Sequence, residues 1–194
     1  MKQVIVLDFD GVLFNTAALK EGLFLSIEGA DPEICRAAYV ELRKTGDFTI
    51  SRYAEAIASR ELAEFSTLEK NMNLLFKKDY VFSDARAYIE ALKHIDQEIW
   101  IVTRAERVWQ EKKIASTGLA EIVDKIIVTQ KLKSEELIAH NVTPSMIIED
   151  SEEELNDYVK HFPASRRIFI TRDGKNSKPA SATEVVKSLD QIKL

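Results

Sequence analysis

The chain has one cysteine in 194 residues, Cys35, so it forms no disulfide within itself. That fits a reducing compartment, and the cytoplasm is the expected location. Cys35 falls in a helical pattern and reads as a buried structural thiol. No apolar run approaches the roughly 20 residues that cross a bilayer, and the first residues lead into a strand with none of the layout of a secretory leader. Basic blocks are missing too. Lys and Arg number 27 against 32 Asp and Glu, a net charge of −5, which leaves no nucleic-acid footprint. The three histidines, His94, His140 and His161, stand apart near expected helix ends and have no zinc-ligand spacing. There is no Walker loop, no dinucleotide glycine loop and no Ser-His-Asp order. Internal repeats and low-complexity tracts are absent as well. What remains is an ordinary soluble composition, 45% hydrophobic and 30% charged, long enough for one domain or a core with a small insertion.

The most informative stretch is Val4-Ile5-Val6-Leu7-Asp8-Phe9-Asp10-Gly11-Val12-Leu13-Phe14-Asn15-Thr16. Its short Val/Ile-rich run, ended by Asp and Gly, reads as a buried central strand. Residues two apart on an extended segment point the same way, so Asp8 and Asp10 are expected to project together from the strand's carboxyl end. In open α/β sheets that edge is where ligands bind. Gly11 lets the backbone turn sharply away.

A predominantly helical pattern follows. Leu19, Leu23 and Ile27 share one helical face; Asp31-Pro32 opens a second helix striped by Ile34, Ala37, Ala38 and Leu42, with Gly46 at its stop. A third helix is expected over about Ser51 to Leu62, and Ser66-x-x-Glu69 reads as a capping box for a fourth, striped by Leu68, Met72, Leu75 and Phe76. Beyond Phe82 helices and strands alternate. Strands are expected at 98–103, 125–129, 145–150 and 167–171. Ser83 opens one intervening helix, Val108, Ala115 and Leu119 stripe the next, and Leu155, Tyr158, Val159 and Phe162 another. Asp173-Gly174 begins a loop, and Ser181-x-x-Glu184 is expected to cap a last helix bearing Val185, Leu189 and Ile192. The fold class is therefore α/β: a doubly wound, mostly parallel five-stranded sheet with a small all-helical insertion after strand one. The expected domains are a core of residues 1–14 and 80–194 and a helical cap of residues 15–79.

If the strands are parallel, their carboxyl ends share one rim and each carries a polar group. The first ends in Asp8 and Asp10, the second in Thr103-Arg104, the third is followed by Lys131 and Lys133, and the fourth ends in Glu149-Asp150. A carboxylate nucleophile, a hydroxyl, an ammonium and metal-binding carboxylates on one rim suffice for phosphoryl transfer. The opening string and the order of these four groups resemble the four motifs of the haloacid dehalogenase superfamily, over about residues 4 to 157.

That resemblance implies a role for each residue. Asp8 would be the nucleophile and Asp10 the general acid and then base, with its backbone carbonyl on the metal. Thr103 would bind a phosphate oxygen, with Arg104 as a further substrate contact. Lys133, preferred over Lys131 because it stands at the start of a helix, would neutralise nucleophile and phosphate. Asp150 would hold the metal by its side chain. Glu149 departs from the Gly or Asp often found there. Glu154 stands where the motif has its second acid, usually Asp, and Asp157 is a weaker substitute. Oxygen ligands of this kind suit Mg2+. Dehalogenases of the superfamily lack an acid two residues after the nucleophile, and Asp10 is one, so the expected activity is a magnesium-dependent phosphatase acting on a small phosphorylated metabolite through an aspartyl-phosphate. A sugar phosphomutase and a catalytically silent binding module are the alternatives. No nucleic-acid or membrane partner is expected, and the oligomeric state is open.

Overall fold

The computed structural model describes residues 3–25, 31–45, 48–60, 64–172 and 178–194. Strands β1 (Val4–Leu7), β2 (Glu98–Arg104), β3 (Lys125–Thr129), β4 (Met146–Glu149), β5 (Arg166–Ile170) and β6 (Glu184–Val186) form a six-stranded sheet in the order β3-β2-β1-β4-β5-β6. Every pairing is parallel. The α-helices among the described residues are α1 (Thr16–Leu25), α2 (Pro32–Thr45), α3 (Ile50–Ala58), α4 (Phe65–Leu75), α5 (Ala85–His94), α6 (Arg107–Ala115), α7 (Lys133–Ala139) and α8 (Glu152–His161). None is long and apolar enough to cross a membrane.

Contacts divide the chain into two compact units. One comprises Met1–Asn15, Val81–Ala105 and Gly118–Leu194 and carries the sheet; the other comprises Thr16–Tyr80 and Glu106–Thr117 and is helical. In the sheet unit, Ile5, Val6 and Leu7 of β1 are all buried, so both faces of the central strand are covered, which is why the strand is apolar without alternation. On one face Val6, Trp100, Val102, Ile147 and Phe169 pack with Leu137 of α7, Leu155 and Tyr158 of α8, and Phe162 just past its end.

The sheet has one strand more than expected. Ser181-x-x-Glu184 caps no helix; Glu184–Val186 instead extends the sheet beside β5. Val185 and Val186 are β-branched and suit a strand. Thr183 ties to the Arg167 backbone at 2.9 and 2.8 Å, and Glu184 takes the Arg166 guanidinium at 2.7 Å. Only a single 3-10 turn, Leu189–Gln191, follows.

The helical unit differs from the expected cap by one element. It includes α6, which lies in sequence between β2 and β3. Trp109 explains this: its ring meets Phe48 at 4.8 Å and Phe76 at 5.5 Å, and the Lys112 ammonium bonds Asn73 and lies 5.0 Å over the Phe76 ring. Val108, expected to face inward, is exposed, and the stripe falls on Trp109 and Ile114. Asp31-Pro32 does open α2, with the Glu33 N–H donating to Asp31 Oδ1 at 2.9 Å. Its buried stripe is Cys35, Ala38 and Tyr39, one residue out of phase with the expected Ile34 and Ala37. The two serine caps do not form. Glu69 accepts the Ser51 hydroxyl rather than closing a box with Ser66, and the N-cap of α5 is Asp84, whose carboxylate takes Arg172 and the Leu189 N–H. The places assigned to Ile27, Gly46, Leu62 and Asp173-Gly174 lie outside the described residues.

Candidate active site

The site lies where the sheet changes direction. From β1 the chain winds outward through β2 and β3, and from β4 it winds the other way through β5 and β6. The two diverging halves leave a crevice at the carboxyl ends of the adjacent strands β1 and β4. Leu7 stands opposite Ile101 of β2 and Ile148 of β4, so the next residues, Asp8 and Glu149, emerge side by side, with Thr103 just beyond Ile101. The Asp8 N–H donates to the Ile148 carbonyl at 3.0 Å, carrying the ladder one residue past the strand.

After Asp8 the chain closes a tight turn. The amides of Leu13 and Phe14 both return to the Phe9 carbonyl, and Phe9 stacks on Phe14 at 4.9 Å. Gly11 sits at φ +77°, and a Cβ there would fall 1.9 Å from Asp150 Oδ2. Only glycine meets both conditions, so Gly11 lets the Asp150 carboxylate lie against the loop that follows Asp8. Asp8, Asp10, Thr103, Arg104, Lys133, Glu149, Asp150, Ser151 and Glu154 line one cleft. Every residue marked out from the sequence as a site residue is thus brought together within the sheet unit.

Of the two candidate lysines, Lys133 reaches the acids. Its Nζ donates to Asp8 Oδ1 and Glu149 Oε2, both at 2.6 Å, with the lysine buried. Lys131 is exposed. Lys133 is the first residue of α7 and Leu132 holds the cap position, so its backbone N–H has no partner within the helix. That N–H donates to Glu154 Oε2 at 3.2 Å. Glu149 also accepts the amides of Asp150 and Ser151 through Oε1, both at 3.1 Å. The extra methylene of Glu over Asp gives it this reach.

The electrostatics are those of acids in excess. Burial alone would push the Lys133 ammonium down, but Asp8 and Glu149 outweigh it and hold it well above its usual value. Burial raises Asp8, with Asp10 adding repulsion that Lys133 only partly offsets; burial and then Asp8 raise Glu149. Asp150 is pushed up to about 7 by the same two causes. One ammonium does not neutralise three carboxylates. We therefore take Lys133 as charged and the surplus acids as holding protons until a cation arrives.

Asp8, Glu149 and Asp150 offer oxygens that all lie within 4.8 Å of one another. An all-oxygen carboxylate set with surplus negative charge fits a hard divalent cation. The sequence placed Asp10 in that set through its backbone carbonyl; the carboxylate cluster has Glu149 beside Asp8 and Asp150. Whether Glu149 or Glu154 supports a metal was open in the sequence, and the carboxylate cluster contains Glu149. Its signal was a charged side chain closing an otherwise apolar buried strand, which demands a partner.

Other candidates sit differently. Thr103 is buried at the rim. Arg104 is turned toward the first turn of α8, where it pairs with Glu153 at 2.6 Å and Glu154 at 2.9 Å. Asp157 faces away from the cleft's acids, accepting the Ser134 hydroxyl and lying 3.7 Å from Lys160.

With this geometry in hand, known proteins provide the comparison. No curated protein matches the chain by sequence. The family profile described as haloacid dehalogenase-like hydrolase matches residues 5–146. Among solved structures, a protein assigned as a HAD-hydrolase, YfnB, from Bacillus subtilis, bound to magnesium, is 16% identical with a TM-score of 0.65, covering 98% of this chain and 96% of that one. One assigned as a beta-phosphoglucomutase from Thermotoga maritima has the same identity, coverage and score, 16%, 98% and 96%, and 0.65. The L-2-haloacid dehalogenase of Xanthobacter autotrophicus with chloropropionic acid covalently bound is 15% identical, covers 97% of this chain and 96% of its own, and scores 0.64. At these identities the likeness is one of fold.

Proposed function

The chain belongs to the haloacid dehalogenase-like hydrolases, and from that premise we propose that it is a magnesium-dependent phosphatase of small phosphomonoesters. The observation that carries the reading is the meeting, in one cleft, of a lysine-held carboxylate, a second carboxylate two residues on and an oxygen-only cluster fit for a cation. Asp8 attacks phosphorus, forming an O–P bond as the bond to the leaving oxygen breaks. Asp10 gives its proton to that oxygen, then takes one from the water that cleaves the aspartyl-phosphate and restores Asp8. Lys133 favours the ionised form of Asp8 and offsets charge on the phosphoryl group. Thr103 offers its hydroxyl to a phosphate oxygen. Asp8, Glu149 and Asp150 would hold the magnesium, which when bound would supply the charge neutralisation that lets an anion approach an anion.

Asp10 separates this reading from dehalogenation, which needs no proton for a departing halide. The direct test is phosphate release from p-nitrophenyl phosphate with magnesium, with and without chelator, beside halide release from 2-chloropropionate. Magnesium-dependent phosphate release supports the reading; chloride release indifferent to chelator replaces it. Turnover confined to one phosphosugar, with phosphate returned to the sugar, would instead mark a mutase.

A further inference from the structure

Arg104 lines the cleft, and an arginine beside a phosphate site invites the role of phosphate ligand. Its guanidinium faces two glutamates of α8. Nη1 and Nη2 donate to the two carboxylate oxygens of Glu153 at 3.2 and 2.6 Å, and Nε lies 2.9 Å from Glu154 Oε1. The two glutamates are not equivalent. The Glu153 side chain is 66% exposed, so its pairing is a surface salt bridge of small worth; that of Glu154 is 2% exposed. A buried carboxylate needs partners for both oxygens. For Glu154 the Lys133 backbone N–H bonds Oε2, while Oε1 makes no hydrogen bond and is balanced only by the charge of the Arg104 guanidinium, whose Nε lies 2.9 Å away. Two more contacts fix its place: its own N–H reaches the Ser151 hydroxyl at 3.4 Å, and it lies in the first turn of α8.

A chain of contacts therefore runs from the end of β2, through Arg104 and Glu154, to the first amide of α7, whose side chain holds Asp8. We infer that Arg104 is a positioning residue. Acting through Glu154, it fixes the start of α7 and so the point from which the Lys133 ammonium meets Asp8, and it does not bind the phosphate. The Lys133 side chain spans from a helix start to a buried carboxylate, so a shift of the helix start displaces the ammonium from a short contact. Misplacement of that order costs about ten- to a hundredfold in rate. A phosphate ligand would act on binding instead.

Two readouts test this, and only the kinetic one rests on the phosphatase reading. The first is hydrogen exchange of the Lys133 amide, followed by NMR on the metal-free full chain. The expected result is exchange at least about tenfold faster in Arg104→Lys and Arg104→Gln, because the acceptor of that amide is loosened, and little change in Glu153→Gln. Arg104→Lys keeps the charge and serves as the second variant if Arg104→Gln fails to fold. The second readout is the split of kcat and KM on an aryl phosphate, with inorganic phosphate as competitive inhibitor. Arg104→Lys should lower kcat about tenfold or more while KM and the phosphate inhibition constant stay within about twofold. Arg104→Gln and Glu154→Gln should be non-additive in the double variant, since each breaks the same link. Unchanged Lys133 exchange in both Arg104 variants overturns the inference, and so does a phosphate inhibition constant raised tenfold in Arg104→Lys. If the wild-type chain releases no phosphate from any ester, the functional reading fails, and the exchange experiment still decides the role of Arg104.

Discussion

The two units put their polar groups to opposite uses. In the sheet unit, charged and polar side chains are buried together at strand ends: Asp8, Thr103, Lys133, Glu149 and Glu154 all have nearly no solvent contact. In the helical unit the centre is aromatic. Tyr39, Phe48, Tyr53 and Trp109 are buried against one another, and ion pairs such as Arg36–Glu21 and Arg60–Glu41 lie on the surface. Surface pairs contribute little to stability, whereas buried acids cost folding energy unless paired. A protein tolerates a cluster of surplus acids where something is to be bound. The sheet unit is thus read as carrying the chemistry at the expense of stability, and the helical unit as held mainly by its aromatic packing.

The comparison breaks most sharply at Asp8. Asp8→Asn should lower turnover about 10⁴-fold or more while the melting temperature holds or rises, because the amide cannot attack phosphorus and one repelling charge is gone. Steady-state assay beside thermal melting checks both halves. Near-wild-type turnover in a preparation free of contaminating phosphatase would remove Asp8 from the centre of the account.

Asp10→Asn should cost about 10²- to 10⁴-fold, the usual range for lost proton transfer. The loss should be smaller for p-nitrophenyl phosphate, whose leaving group needs little protonation, than for an alkyl phosphate when formation of the phospho-enzyme limits the rate. Equal losses across leaving groups under that condition would deny Asp10 the acid's part.

The helical unit offers the converse experiment. Phe48→Ala opens a cavity among the rings of Tyr39, Tyr53 and Trp109 and should cost about 3–5 kcal/mol by denaturant unfolding. Turnover of a generic aryl phosphate, counted per folded molecule, should stay within about threefold. A stability loss under 1 kcal/mol would show that the aromatic cluster is not the unit's main support.

The smallest effect concerns pH. Asp150 titrates at about 7 in the folded, metal-free protein against an ordinary 3.8, so the folded state binds the proton more tightly. The stability gained is complete below about pH 4 and is lost as pH rises through about 7. The Asp150 carboxylate lies against the Gly11 loop while the residue keeps exposed surface, and solvent there screens much of the shift, so the contribution is about 1 kcal/mol. Metal-free protein should accordingly unfold more readily at pH 8 than at pH 5.5, Asp150→Asn should flatten that slope, and magnesium should stabilise the protein most at the alkaline end. A metal-free stability that climbs over the same range would reverse the sign argued here.

Where the sequence was legible, local pattern and chain order coincided. The Val/Ile runs of β1 to β5 named the sheet, and the acids ending β1 and β4 named the cleft, because strand ends in a parallel sheet share an edge. Phase and partner were harder to read. The stripe of α2 fell one residue away, on Cys35, Ala38 and Tyr39, since a short amphipathic run fits two neighbouring phases. The capping serines lost to tertiary partners, with Glu69 taken by Ser51 and Asp84 by Arg172. The union of α6 with the helical unit depends on Trp109 meeting rings some 33 to 61 positions earlier in the chain, Phe76 and Phe48, which no local window contains. The choice between Glu149 and Glu154 as a metal-supporting acid was open for a different reason: only a fold shows that Lys133 lies within reach of Glu149.

The central claim is that Asp8 carries the phosphoryl group. Acid quenching of the enzyme within the first turnover, with magnesium and an aryl phosphate labelled at phosphorus, followed by peptide mapping, tests it directly. The account predicts label on the peptide containing Asp8, formed and discharged at rates that support turnover, and none in Asp8→Asn. Label on another residue, or phosphate released at the full rate with no labelled enzyme under conditions that preserve acyl phosphates, would contradict it.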